Sequence, residues 1–334
     1  MIVALLVTNS LIIQIKGFDY VINVPEVHAA DNLPDRLLYI SDLVYQGIYP
    51  NPAGDSLAFA PPGLSYNPAR NSLFATGRGA GEISIPNVLG QTSTILQNFT
   101  SPTEEQDSKI FVNDGGYNDP VRGGLMVFQD KLIVTTYSSY DANFRAKKSH
   151  FVSGQNLSIL NDVQGPFTLV APQAGFVGGY MAPVPQAWRA AIGAPALTGL
   201  CCISIISRTS HGPSLFGFDP ADLGVKDPVP TIPLVYYPQA NRTLLKFTKP
   251  DDSNAYFNWI TRINGVVWPE NTRTIFFFGT HGLGKGCYGP ATSDSALVGT
   301  IYGTNPLPRC FDLIDFEGAS FDQQSFHAYP YVNY

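Results

Sequence analysis

Apolar and polar positions along this chain alternate in short bursts that come in pairs. Gly63-Leu64-Ser65-Tyr66-Asn67-Pro68 is followed by a polar turn and by Ser72-Leu73-Phe74-Ala75-Thr76-Gly77. Gly265-Val266-Val267-Trp268-Pro269, a polar turn and Thr274-Ile275-Phe276-Phe277-Phe278-Gly279 repeat that arrangement. In both, the aromatic is the fourth residue and the closing glycine falls fourteen residues after the opening one. A third copy runs Gly124-Leu125-Met126-Val127-Phe128, turns at Gln129-Asp130-Lys131 and returns as Leu132-Ile133-Val134-Thr135-Thr136. A looser fourth starts Gly179-Tyr180-Met181-Ala182-Pro183, with its return strand expected at Trp188-Arg189-Ala190-Ala191-Ile192. Strand, polar turn, strand is the signature of a β-hairpin. Further strands are expected at 82–85, 202–206, 215–218 and 234–237, which makes about four strands per unit.

The units open at Gly63, Gly124, Gly179 and Gly265, spaced by 61, 55 and 86 residues. One hairpin cannot bury both of its faces, whereas four-stranded sheets stacked around an axis bury them against each other. The pattern therefore resembles a β-propeller of about five four-stranded blades (range four to six), with residues 37–60 supplying a partial one; a β-sandwich is the alternative. Phe276-Phe277-Phe278-Gly279-Thr280-His281-Gly282, Gly286-Cys287-Tyr288-Gly289 and His327-Ala328-Tyr329-Pro330-Tyr331 resemble segments of uncharacterised bacterial exported propeller-like proteins. No window has a capped amphipathic helix pattern. Residues 30–334 read as one all-β domain. The sequence stops at Tyr334 inside a strand-like run, as a propeller truncated at its C-terminus would.

Composition supports β structure and narrows the partners. Only 14% of residues are charged, with Gly, Pro, Tyr and other turn or strand residues in their place. The net charge of −6, with a single short basic cluster at Arg145, Lys147 and Lys148, speaks against nucleic acid. No run of about 20 apolar residues is present to span a membrane as a helix. Residues 1–29 read as a signal peptide, with Val27-His28-Ala29 as its cleavage site, or else as a first strand. The expected location is secreted, periplasmic or cell-surface. The four cysteines lack C-x-x-C spacing, so no zinc site is expected. Cys287 and Cys310, both in Gly/Pro-rich loop sequence, are the candidate disulfide.

Candidate chemistry is sparse. Gly279 to Gly286 reads G-x-x-x-x-G-K-G, but Gly286 has no hydroxyl for Mg²⁺ and Tyr288-Gly289-Pro290 cannot open a helix, so it is not a phosphate loop. His281, after a strongly apolar strand and beside glycines, is a candidate general base, and His211 is a candidate to join it. His327 and His150 are weaker candidates. Asp114 and Asp119, just before a unit start, are candidate catalytic carboxylates. Their D-x-x-x-x-D spacing is also a candidate Ca²⁺ pair, though it lacks the D-x-[DN]-x-[DN]-G pattern. Asp141, Asp219 and Glu270 are further carboxylates near strand ends. For these carboxylates Asx-turn chemistry is the competing reading, and for His281 it is packing against a neighbouring loop. No G-x-S-x-G elbow is present. The expectation is an exported binding domain for a carbohydrate, small ligand or protein partner. The alternatives are a hydrolase of glycans or esters with a site near the propeller axis, and a structural or surface-assembly protein.

Overall fold

The computed structural model describes residues 3–7, 10–15, 18–23, 33–47, 49–50, 63–77, 79–101, 103–112, 120–138, 141, 143–201, 209–238 and 262–280. Strands dominate, and every named sheet is antiparallel. β1 (Val3–Val7), β2 (Ser10–Ile15) and β3 (Phe18–Asn23) form a three-stranded meander within the 1–29 segment.

Three four-stranded sheets follow, each in simple chain order. The first holds β4 (Leu64–Asn67), β5 (Ser72–Thr76), β6 (Ala80–Ser84) and β7 (Ile95–Thr100). The second holds β8 (Pro120–Phe128), β9 (Lys131–Ser138), β10 (His150–Gly154) and β11 (Gln164–Phe167). The third holds β12 (Met181–Pro183), β13 (Ala196–Thr198), β14 (Leu215–Phe218) and β15 (Thr231–Val235). A hairpin of β16 (Arg262–Val267) and β17 (Phe276–Thr280) completes the described sheets. Asn71, Gln129 and Asn271 take positive φ in the three first-hairpin turns, a conformation that Asn tolerates better than most residues.

The expected return strand at 188–192 is corrected. A 3-10 turn, Gln186–Trp188, runs into the helical turn α2 (Arg189–Ile192). Arg and Ala favour helix, and Gly193 at φ 75° ends it with its N–H bonded to Arg189 O. The return strand is β13 instead. Trp188 then packs on Trp268, ring centroids 5.0 Å apart, and its indole N–H donates to Thr272 O. The helical turn thus ties the third sheet to the β16–β17 hairpin. A second helical turn, α1 (Glu104–Asp107), lies between the first and second sheets in sequence.

The sheets pack face to face in chain order, and strand periodicity assigns each residue to one interface. Leu125, Leu132 and Val134 point towards Phe74 and Ala80 of the first sheet. Their neighbours Met126 and Ile133 point the other way, towards Met181, Phe216 and Phe218 of the third. Ala182, Leu197 and Leu215 in turn face Ile263, Val266 and Phe277. Both middle sheets are therefore buried on both faces, which explains their near-continuous apolar runs.

The first strands meet at glycines. A Cβ on Gly63 would lie 2.9 Å from Gly124 Cα, and one on Gly124 would lie 2.7 Å from Gly179 O. One on Gly123 would lie 2.1 Å from Gly178 O. The unit-opening glycines are thus the points where successive sheets touch backbone to backbone. Threonines of the second strands add hydrogen bonds there. Gly63 N donates to Thr76 Oγ1 at 2.6 Å, and Thr135 Oγ1 donates to Gly179 O at 2.6 Å. Gly265 departs from this pattern, with open space where its Cβ would be.

Residues 33–47 and 49–50 contact both ends of the stack. Leu38 N donates to Thr274 Oγ1 at 2.8 Å, and Arg273 N donates to Arg36 O. Further along, Ser93 N donates to Pro50 O, and Gly47 abuts the Leu89 side chain. Substituting Gly124→Ala is expected to cost about 2–3 kcal/mol by forcing two backbones apart, whereas Gly265→Ala stays within about 0.5 kcal/mol of wild type. Urea denaturation of the two variants measures the contrast, and equal costs would refute the glycine contact.

Candidate functional site

Of the candidate residues read from sequence, Asp114, Asp119, His281, His327, Cys287 and Cys310 lie outside the described residues. His211 is buried in the loop before β14, where its backbone N–H donates to Tyr237 O at 2.9 Å. Ser210 Oγ accepts from Tyr237 N at 2.9 Å, so this loop is stitched to the end of the third sheet. Cys201, at the other side of that loop, forms β-bridges to Ser210 and Ile263.

Two of the other candidate carboxylates, Asp141 and Asp219, do turn chemistry. Asp141 accepts from the N–H groups of Arg145 (2.7 Å) and Ala146 (3.0 Å). Asp219 accepts from Ala221 N at 2.9 Å and caps the 3-10 turn Pro220–Asp222. Glu270 is exposed in the β16–β17 turn. Asp141 and Asp219 thus satisfy backbone donors that turns leave without partners.

Two buried ionisable groups bind sheets together. His150 is fully buried, with Nδ1 2.8 Å from Ser149 Oγ and Nε2 3.1 Å from Thr198 Oγ1 of the third sheet. Phe218 meets its ring edge-on at 5.4 Å. Burial pushes its pKa down to about 3, so it is neutral at pH 7. Glu82, fully buried in β6, was not singled out from sequence. Its carboxylate accepts from Asn67 (3.1 Å), Ser72 (2.5 Å), Gln97 (2.6 Å) and Arg70 (2.7 Å). Burial raises its pKa, but the three side-chain hydrogen bonds and the Arg70 charge outweigh it and leave the carboxyl below its ordinary value. Gln97 and Asn67 also bond Gln155 of the second sheet, at 2.9 and 3.3 Å. A Glu amid Ala80-Gly81 and Ile83 was the one visible signal of this cluster.

An open cleft lies between the second and third sheets, with a volume of about 310 Å³. Its walls are the β8–β9 turn, the ends of β9 and β10, Asp162, Gln164, and the 220–223 turn of the third sheet. Phe128, Ile133, Val152 and Leu223 supply an apolar lining; Gln129, Lys131, Ser153, Asp162 and Gln164 supply polar groups. Asp162 is held by accepting from Gly154 N at 2.9 Å, and the Asp219 cap holds the opposite wall. Lys131 and Asp130 form an exposed pair at 3.7 Å on the rim. Apolar floor with a few convergent donors and acceptors is the make-up of small-ligand sites, and this volume is at their small end. Among the described residues, no group of three His, Cys, Asp or Glu side chains is placed to hold a metal ion. No helix among them is long and apolar enough to cross a membrane.

The pKa of His150 sets a pH dependence. The unfolded chain takes up a proton near pH 6.5, while the folded chain resists it until about pH 3. The contribution of His150 is therefore complete above about pH 6.5 and falls by up to ~1.4 kcal/mol per pH unit below it. Unfolding free energies measured from about pH 7 down to pH 4 should show that slope in wild type and its loss in His150→Gln. The same slope in both proteins would show that His150 is not the group responsible.

No protein-family model, curated protein or solved structure matches the chain.

Proposed function

We propose that this chain is an exported, propeller-type binding domain whose cleft between the second and third sheets takes a small polar ligand of the carbohydrate class. The propeller reading is supported by the first strands. β4, β8, β12 and β16 lie side by side in chain order, as innermost strands of blades do. Residues 33–50 run between the β16–β17 hairpin and the first sheet, the link that a ring of sheets requires. About five blades, and a secreted, periplasmic or cell-surface location, belong to the same reading and rest on the repeat spacing and on residues 1–29.

The cleft is the observation that carries the binding role. A sugar ring presents apolar C–H faces and a rim of hydroxyls. Phe128, Ile133 and Leu223 suit the faces; Lys131, Asp162 and Gln164 suit hydroxyls that both donate and accept. The cleft's volume suits about one sugar ring, so affinity in the range of about 0.1–1 mM is expected. Titrating the labelled protein with glucose, galactose, mannose and N-acetylglucosamine should shift amide resonances of 128–131, 152–154 and 220–223 for at least one sugar. Lys131→Ala combined with Gln164→Ala should weaken that binding at least tenfold without changing the melting temperature. Shifts that are absent, or confined to other residues, would remove the proposal.

A further inference from the structure

The outer strands of the three four-stranded sheets differ in how their free edges are protected. β11 contains Pro166 and β15 contains Pro233, and proline lacks the N–H that another strand would need. β7, Ile95-Leu96-Gln97-Asn98-Phe99-Thr100, has neither proline nor a charged residue. Its inner edge is paired with β6, and its outer edge has no partner strand among the described residues.

Exposed apolar side chains adjoin that edge, and the half-exposed Arg70 near Gln97 is neutralised by Glu82. Tyr45, Tyr49, Val88, Leu89, Ile95 and Leu96 are each 40–56% exposed. The stretches that carry them adjoin at two contacts: Gly47 lies against Leu89, and Pro50 O accepts from Ser93 N. Residues 43–50 and 85–103 contain no charged side chain, in a chain of net charge −6. Two copies of such a chain repel each other over most of their surface, and a neutral face is where they can meet. At ~80 Å² apiece the six side chains offer on the order of 500 Å². With the strand backbone and the polar rim of Gln46, Gln91 and Asn98, this approaches the roughly 800 Å² per partner of a standard interface.

We infer that β7 and its apolar surround are a self-association face, occupied by β7 of a second copy across a two-fold axis. An antiparallel pair of identical strands satisfies that symmetry, because each strand presents the same groups to the other. The two first sheets then form one continuous eight-stranded sheet across the dimer.

Sedimentation velocity on the full chain tests this. Wild type should be a dimer that dissociates on dilution. Leu96→Lys should weaken self-association at least a hundredfold while circular dichroism and melting temperature stay unchanged. Leu89→Lys, outside the strand, should do the same if Leu96→Lys fails to fold. Val225→Lys, at an exposed apolar position on the third sheet's turn, should remain dimeric. A wild-type monomer at high concentration overturns the inference. So does a dimer indifferent to both Leu96→Lys and Leu89→Lys, and so does equal loss in Val225→Lys.

Discussion

Successive sheets of this protein are held at a spacing that only glycine permits. At Gly63 before β4, Gly124 within β8 and Gly179 before β12, the backbone of one sheet rests on the backbone of the next. Side chains normally keep packed sheets about 10 Å apart. Without Cβ atoms at these positions the first strands approach more closely than side chains would allow. Thr76 and Thr135 add to these contacts by hydrogen-bonding the Gly63 amide and the Gly179 carbonyl.

The polar groups buried between sheets tie neighbouring sheets together in a fixed register. Apolar faces alone tolerate sliding, because one Leu or Phe packs nearly as well as another. Glu82 does not tolerate it: four donors must converge on one carboxylate, and two of them also reach Gln155 of the next sheet. His150 plays a similar part between the second and third sheets through Thr198, whose own hydroxyl donates to Val177 O at 2.5 Å. The two solve burial differently. The carboxylate stays charged because donors replace water, and the imidazole stays neutral because burial disfavours its charged form.

The hairpins were legible because strand periodicity and turn residues are local properties. Gly63–Gly77, Gly124–Thr136 and Gly265–Gly279 all proved to be antiparallel pairs. The fourth unit misled because Met181–Pro183 is a short strand and Trp188–Ile192 is apolar enough to resemble another. Its Arg-Ala-Ala content and the following Gly193 were the contrary signals. The Glu82 cluster and the cleft were beyond such reading. Glu82 draws on residues 67 to 97, and the cleft joins 128–131 to 220–223. Those neighbours are set by sheet packing, which no local pattern encodes. Asp141 and Asp219 followed the turn chemistry that competed with a catalytic role for them.

The segment 33–50 has a consequence for how the molecule comes into being. Leu38 and Thr274, which share a hydrogen bond, are 236 residues apart in the chain. A contact of that span closes late, since the loop-entropy cost must be met before the contact can reward it. On the ribosome, residues 33–38 must wait through the synthesis of three sheets before their partner exists. Each sheet is built from neighbouring strands and can assemble as it emerges. Arrival of Arg273 and Thr274 would then join layers that formed separately, so that these contacts report the late joining of the described sheets rather than the start of folding.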